Sequence, residues 1–280
     1  LWRSDSDEVR TVNEQHSAPV RKAATLILVR TRRDDALEVF MVERPGAAAF
    51  GGLHVFPGGK VDPSDVVDAA HCRGISDREA SAMLGLTSGG LAFWVAAIRE
   101  SFEEAGVLFA HLDGRLVDLS DVAVASRFER LRHALQGGTL RMADLCNSEQ
   151  LVLAADQVHY FSHWLTPEGA PARFDTRFFL AVMPDNQTVA HHELELEGGT
   201  WVTPALALTH HREGRWQMIY PTLTTLETLR RYRTVSALLA DVQARRHLPE
   251  VTAERNRQGM QHDRGMAAPV GLSGTGKDGG

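Results

Sequence analysis

Apolar and polar positions along the chain follow two different rhythms, which divide it into strand-like and helix-like blocks. Ala23-Ala24-Thr25-Leu26-Ile27-Leu28-Val29 is a short β-rich run. After the charged turn Arg30 to Asp35 comes Leu37-Glu38-Val39-Phe40-Met41-Val42, and the pair predicts a hairpin. From about Gly90 to Ala105 the rhythm becomes helical. At about 100° per residue, Leu91, Val95, Ile98, Phe102 and Ala105 share one face, Glu100, Glu103 and Glu104 crowd the narrow opposite one, and Gly106 supplies the stop. Beyond it, Val107 to Ala110 predicts a short strand, and two helices are expected over Val122 to Leu135 and Met142 to Ala154. A second β-rich zone covers Val158 to Leu165, Arg173 to Met183 and Thr200 to Val202, and the last helices are expected over Pro204 to His211 and Thr222 to Val242.

Three stretches lack such periodicity. Residues 1–20 read as a loose arm, and from Pro249 onward glycine and charge predict a disordered tail to residue 280. Residues 66–90, rich in Ala, Asp, Gly and Ser, read as an inserted surface loop with a small helix around Arg78 to Leu84. The ordered domain therefore spans residues 21–248. Its strands lie on both sides of its helices in sequence, which predicts an α/β (α+β) fold: a mixed sheet between helices, with an insertion and extra helices.

Composition narrows the function classes. A chain of 280 residues with 43% hydrophobic and 24% charged residues is ordinary for a globular protein with a full core. Its net charge of −6 argues against a nucleic-acid binder working by bulk electrostatics, although a local basic pocket stays open. Cys72 and Cys146 are the only cysteines and neither stands in a metal-ligand or CxxC spacing, so a reducing cytoplasm is the default expectation. No run of eighteen apolar residues and no signal-type apolar segment near the start predicts membrane contact. Leu1 in place of Met leaves the true start open.

The chemistry concentrates on the helix. Three carboxylates within one turn repel one another unless a cation sits among them, which points to a hard, oxygen-preferring divalent ion; a solvated acidic face is the competing reading. Gly51-Gly52-Leu53-His54-Val55-Phe56-Pro57-Gly58-Gly59 would let the backbone approach something closely. Arg44, at the end of the second predicted strand, is a candidate phosphate contact. In Arg173 to Phe178 strand alternation places Arg173, Asp175 and Arg177 on one face, to hold phosphates or to form an ion network. Glu193, Glu195 and Glu197 would share one side of an extended segment.

With Gly58-Gly59 in front and Arg99-Glu100-Ser101-Phe102-Glu103-Glu104-Ala105-Gly106-Val107 behind, the chain resembles a Nudix hydrolase. That family's box is Gly, five residues, Glu, seven residues, then Arg-Glu-aliphatic-x-Glu-Glu-x-Gly-aliphatic. Arg99, Glu100, Glu103, Glu104 and Gly106 stand at their positions. Five residues after Gly59 comes Asp65 in place of Glu, 33 residues instead of seven separate it from Arg99, and Ser101 replaces the aliphatic residue. The insertion resembles the branch containing the mammalian peroxisomal acyl-coenzyme A diphosphatase. Further matches are His54 to Gly59, Trp164-Leu165-Thr166-Pro167, Arg173 to Phe179 and Trp201-Val202-Thr203-Pro204.

The resemblance implies a diphosphatase that cleaves a nucleoside diphosphate linked to another moiety, with coenzyme A or acyl-coenzyme A as the leading substrate class. ADP-ribose, NADH or another nucleotide conjugate, and a non-catalytic nucleotide-sensing module, are the alternatives. It implies Mg²⁺ or Mn²⁺ held by Glu100, Glu103, Glu104 and the Gly58 carbonyl, and catalytic roles for Arg99, Glu100 and Glu103. It also implies a base drawn either from the box glutamates or from Glu193, Glu195 or Glu197. Arg44, Arg173 and Arg177 are the candidate substrate contacts. The expected partner is a small-molecule nucleotide, with no nucleic acid and no membrane, and a homodimer is left open.

Overall fold

The computed structural model describes residues 18–44, 52–189 and 199–244. Strand β1 (Val20–Thr31) runs through the middle of the main sheet. Its Ala24, Leu26 and Leu28 belong to one core cluster and Ile27 and Val29 to another, so successive side chains feed opposite faces. Burial on both faces is why this stretch is apolar without alternation. The charged turn returns the chain as β2 (Leu37–Glu43), antiparallel to β1 with Val29 opposite Val39, as the hairpin pattern predicts. Two short strands follow, β3 (His54–Val55) pairing with β2 and β4 (Gly58–Lys60) pairing with β1.

The inserted segment is more than a surface loop. After a 3₁₀ turn at Pro63–Asp65, it makes another at Ala69–His71, then α1 (Asp77–Leu84), which starts on a Ser76–Glu79 capping box and ends at Gly85 with φ 68°. Ala80 and Leu84 are buried in the same cluster as α2 (Leu91–Ala105). Helix α2 itself is enclosed on several sides: Phe93, Trp94, Val95, Ala96, Ala97, Ile98 and Phe102 are all at most 2% exposed. It packs on β1 and β4, against α1, and against the later helix α3 (Val122–Gln136).

A small second sheet has the order β6-β5-β7, built from β5 (Ala110–Leu112), β6 (Arg115–Leu116) and β7 (Val152–Leu153). The strand predicted from Val107 starts late. Leu108 finds its backbone partners in the buried Gln187 side chain, whose Oε1 accepts from Leu108 N at 2.9 Å and whose Nε2 donates to Leu108 O at 2.9 Å. The helix expected from Met142 to Ala154 is shorter, α4 (Met142–Glu149), because Gln150 turns to φ 55° and releases the chain into β7.

The main sheet is completed by β8 (His159–Leu165), β9 (Arg173–Val182) and β10 (Thr200–Val202), in the order β10-β2-β1-β9-β8. Among the strands of the described residues β1 and β9 alone pair in parallel, so the sheet is mixed, as expected. Its second face is covered by α5 (Pro204–Arg212), α6 (Tyr220–Leu229) and α7 (Val235–Gln243). The single helix predicted from Thr222 to Val242 is two, because Thr234 takes an extended conformation (φ −132°) and its side chain caps Ala237 N. Among the described residues no helix is long and apolar enough to cross a membrane. Most of the predicted arm and all of the predicted tail lie outside the described residues.

Candidate active site

The site forms where β4 crosses the C-terminal half of α2. Gly58 and Gly59 are required by space: a methyl group at Gly58 would lie 2.6 Å from Ala24 O, and one at Gly59 would lie 2.4 Å from Glu100 Oε1. The turn is therefore pressed between the β1 backbone and a glutamate of α2. Gly58 N donates to Glu104 Oε2 at 2.8 Å, and the Gly58 carbonyl accepts from Arg44 Nη2. Arg44, expected at a strand end, thus stands directly over the glycine turn.

Arg99 is the hub. Its Nε and Nη2 form a two-pronged pair with Asp65 at 2.8 and 3.0 Å, its Nη1 reaches Glu100 Oε1 at 2.8 Å and Glu103 Oε2 at 3.2 Å, and its Nη2 also donates to Lys60 O. Asp65 is fully buried and also takes the Asp62 amide at 2.7 Å. The Asp65–Arg99 contact closes the box across 33 intervening residues. The insertion leaves and re-enters locally: Ser81 Oγ accepts from Gly90 N, and both carboxylate oxygens of Asp77 accept from Gly89 N and Leu91 N at 3.0 Å. The first turn of α2, which has no capping side chain of its own, is thereby satisfied by the insertion.

Electrostatically the acidic face is not a solvated one. Glu100 is 8% exposed. Burial raises the pKa of Glu100 and of Glu103, against the opposing pull of Arg99. Dense protein around the Glu104 carboxylate, with the charge of Glu100 next, pushes it up to about 7 despite the Gly58 amide and Arg44. Burial alone would lower Arg99, but its hydrogen bonds to Asp65 and the charge of the surrounding carboxylates outweigh it and the pKa is raised.

Four carboxylates, Asp65, Glu100, Glu103 and Glu104, here face two guanidinium groups, Arg44 and Arg99, a formal excess of two negative charges when all four are ionised. Among the described residues no three acidic, imidazole or thiol groups already converge at ligating distance, since Arg99 draws Glu100 and Glu103 to itself. The donor set nonetheless fits a hard divalent cation: all its atoms are oxygens, its carboxylates are held short of water, and Gly59 leaves the Glu100 side chain uncovered by any side chain of its own.

Arg173 and Arg177 lie elsewhere. Ala24 of β1 pairs with Gly59 on one side and with Arg177 on the other, and Arg177 is buried. It lies 3.1 Å from Asp175, donates to Leu84 O of α1 at 3.2 Å, and sits over the Phe93 ring. His163 joins the row at 2.7 Å from Asp175, whose pKa is lowered because His163 and Arg177 outweigh the cost of burial. Arg173 donates to Thr166 O. Asp175 is thus held between His163 and Arg177. Glu193, Glu195 and Glu197 lie outside the described residues. The role of Asp65 was signalled only by its spacing from Gly59, and the contact of Arg132 and Gln136 with the Glu103 carbonyl carried no sequence signal.

The chain is similar to several known proteins. The family model described as the NUDT19 Nudix domain matches residues 75–229, more than half of the chain. The acyl-coenzyme A diphosphatase NUDT19 of Xenopus laevis is 24% identical over 235 residues, covering 72% of this chain and 62% of that protein. A putative nudix hydrolase 7 of Caenorhabditis elegans is 27% identical over 212 residues, covering 75% and 60%. The chain thus spans about three-fifths of the length of these curated relatives. The crystal structure of a NUDIX hydrolase from Alicyclobacillus acidocaldarius shares the fold with a TM-score of 0.57 at 24% identity, covering 80% of this chain and 96% of that one.

Proposed function

The chain belongs to the NUDT19 Nudix domain family, and from that membership we propose that it is a metal-dependent diphosphatase acting on coenzyme A or acyl-coenzyme A. The observation that carries the reading is the Asp65–Arg99–Glu100/Glu103 lattice, closed over the Gly58-Gly59 turn in spite of the insertion. An arrangement that pays no regard to chemistry has little reason to crowd four carboxylates here with only two arginines.

Glu100, Glu103 and Glu104, with the Gly58 carbonyl, would hold Mg²⁺ or Mn²⁺. Bound there, the ion would neutralise diphosphate charge and lower the pKa of the attacking water. The chain's own groups supply position: Asp65 fixes the Arg99 fork, Arg99 orients the Glu100 and Glu103 carboxylates, and the Gly58 amide holds Glu104. Arg44, half-buried over the turn, is placed to meet a phosphate oxygen, whereas Arg177 is committed to Asp175 and Leu84. The proton of the water passes to a box glutamate or to one of Glu193, Glu195 and Glu197, and single Gln variants of each decide which. The free thiols Cys72 and Cys146 suit a reducing compartment such as the cytoplasm.

The test is a panel of coenzyme A, acyl-coenzyme A, ADP-ribose, NADH and dinucleoside polyphosphates with Mg²⁺ or Mn²⁺, with products identified by mass. Preferred cleavage of the coenzyme A pair is expected. Preference for ADP-ribose or NADH would move the substrate assignment, and tight nucleotide binding without turnover would indicate a sensing module.

A further inference from the structure

Arg132 of α3 buries its guanidinium to 1% side-chain exposure against the last turn of α2. Its Nη1 donates to the Glu103 carbonyl at 2.7 Å, while its Nε donates to Glu129 Oε2 at 2.9 Å. Gln136, one turn further on, donates Nε2 to the same Glu103 carbonyl. Two donors from a separate helix therefore meet on one peptide oxygen.

That oxygen belongs to the last turn of α2, where carbonyls have no intrahelical partner. Gly106 and Val107 N–H groups already serve Phe102 and Ser101, and Gln136 alone would satisfy Glu103 O. A buried arginine is a costly way to add a second hydrogen bond. What it adds is rigidity: Nε and Nη2 both pair with the Glu129 carboxylate, which fixes the guanidinium on α3 while Nη1 holds the Glu103 carbonyl. The C-terminus of α2 is the negative end of its dipole, and Glu100, Glu103 and Glu104 place three carboxylates within that same end. Arg99 meets these glutamates from the carboxylate side, and the Arg132–Glu129 pair holds the Glu103 peptide from the backbone side.

We propose that Arg132, assisted by Gln136, is a positioning residue for the metal-binding glutamates: it pins the Glu103 peptide and so fixes the end of α2 from which their carboxylates project. The inference rests on the Nudix reading above, in which those glutamates hold a divalent ion.

Mn²⁺ alone is the probe, titrated calorimetrically into the full chain, with melting temperature measured in parallel. Arg132→Met should weaken Mn²⁺ binding about tenfold and Gln136→Leu, at an exposed position, about threefold, while Arg132→Lys should recover part of the loss. Leu135→Ala, on the same helix and buried without touching the Glu103 carbonyl, should lower the melting temperature and leave Mn²⁺ affinity within about twofold. Unchanged affinity in Gln136→Leu and in the folded Arg132 variants overturns the proposal, as does an equal loss in Leu135→Ala. Should Arg132→Met not fold, Gln136→Leu and Arg132→Lys decide. Wild-type chain that binds no Mn²⁺ removes the metal-dependent function itself, and this inference with it.

Discussion

At the residue scale the candidate site is built around Asp65 and Gly59 as closely as around the glutamates. Asp65 is fully buried and its partner Arg99 is 11% exposed at the side chain, so removing one partner strands a charge in a poorly hydrated place. Asp65→Ala is expected to cost about 3–5 kcal/mol of stability, read by urea denaturation, and to lower turnover at least tenfold because Arg99 no longer fixes Glu100 and Glu103. A wild-type denaturation midpoint would show that the pair is incidental. Gly59→Ala must displace the Glu100 carboxylate, which its methyl group would overlap. Reduced turnover with a modest stability loss, about 1–3 kcal/mol as for overpacking, is expected; unchanged kinetics would mean that Glu100 is free to move without consequence. The motif residues Arg99, Glu100, Glu103 and Glu104 were legible in sequence because the helix spacing is rigid. The depth of their burial was not, since helical periodicity shows which residues share a face but not whether another element covers that face.

At the scale of elements, sequence rhythm read best where one element serves itself. The β1–β2 hairpin and α2 met expectation because apolar period and stop signals are local. The misjudged elements are those decided by a distant group: Gln187 replaces a strand partner for Leu108, and Thr234 cuts the last helix by capping Ala237. Helix α2 is itself capped from outside, by Asp77 of α1 on Gly89 and Leu91. Those amides, foremost Leu91 and then Gly89, hold the Asp77 pKa below its ordinary value. A carboxylate whose pKa is depressed by folding stabilises the fold above its unfolded pKa, about 3.9, and that contribution fades as pH falls through the folded value. Asp77→Asn should therefore lose about 1 kcal/mol at pH 7, as for a helix cap, with the gap to wild type shrinking below about pH 4. A gap that is constant with pH would show that charge plays no part in the cap.

At the scale of the whole molecule, the insertion is the part that sequence reading understated. A composition of Ala, Asp, Gly and Ser suggests a surface loop, yet Ala80 and Leu84 are buried against α2, and Leu84 O takes the Arg177 guanidinium of β9. The insertion ties the start of α2 to the sheet while leaving the Asp65–Arg99 closure intact. Leu84→Ala should accordingly cost about 2–5 kcal/mol, the range for a truncated core leucine, and the loss should appear in stability with metal affinity nearly preserved. A surface loop would tolerate the change within about 0.5 kcal/mol. The proposal for the molecule as a whole is that this lattice of carboxylates and arginines cuts a diphosphate with a divalent ion. Mass analysis of coenzyme A incubated with Mn²⁺ and either wild-type chain or Glu103→Gln tests that most directly. Two phosphate-bearing halves that together equal coenzyme A plus one water, formed by wild type and reduced at least a hundredfold in the variant, are predicted; intact coenzyme A with wild type, or equal cleavage by Glu103→Gln, would contradict the account.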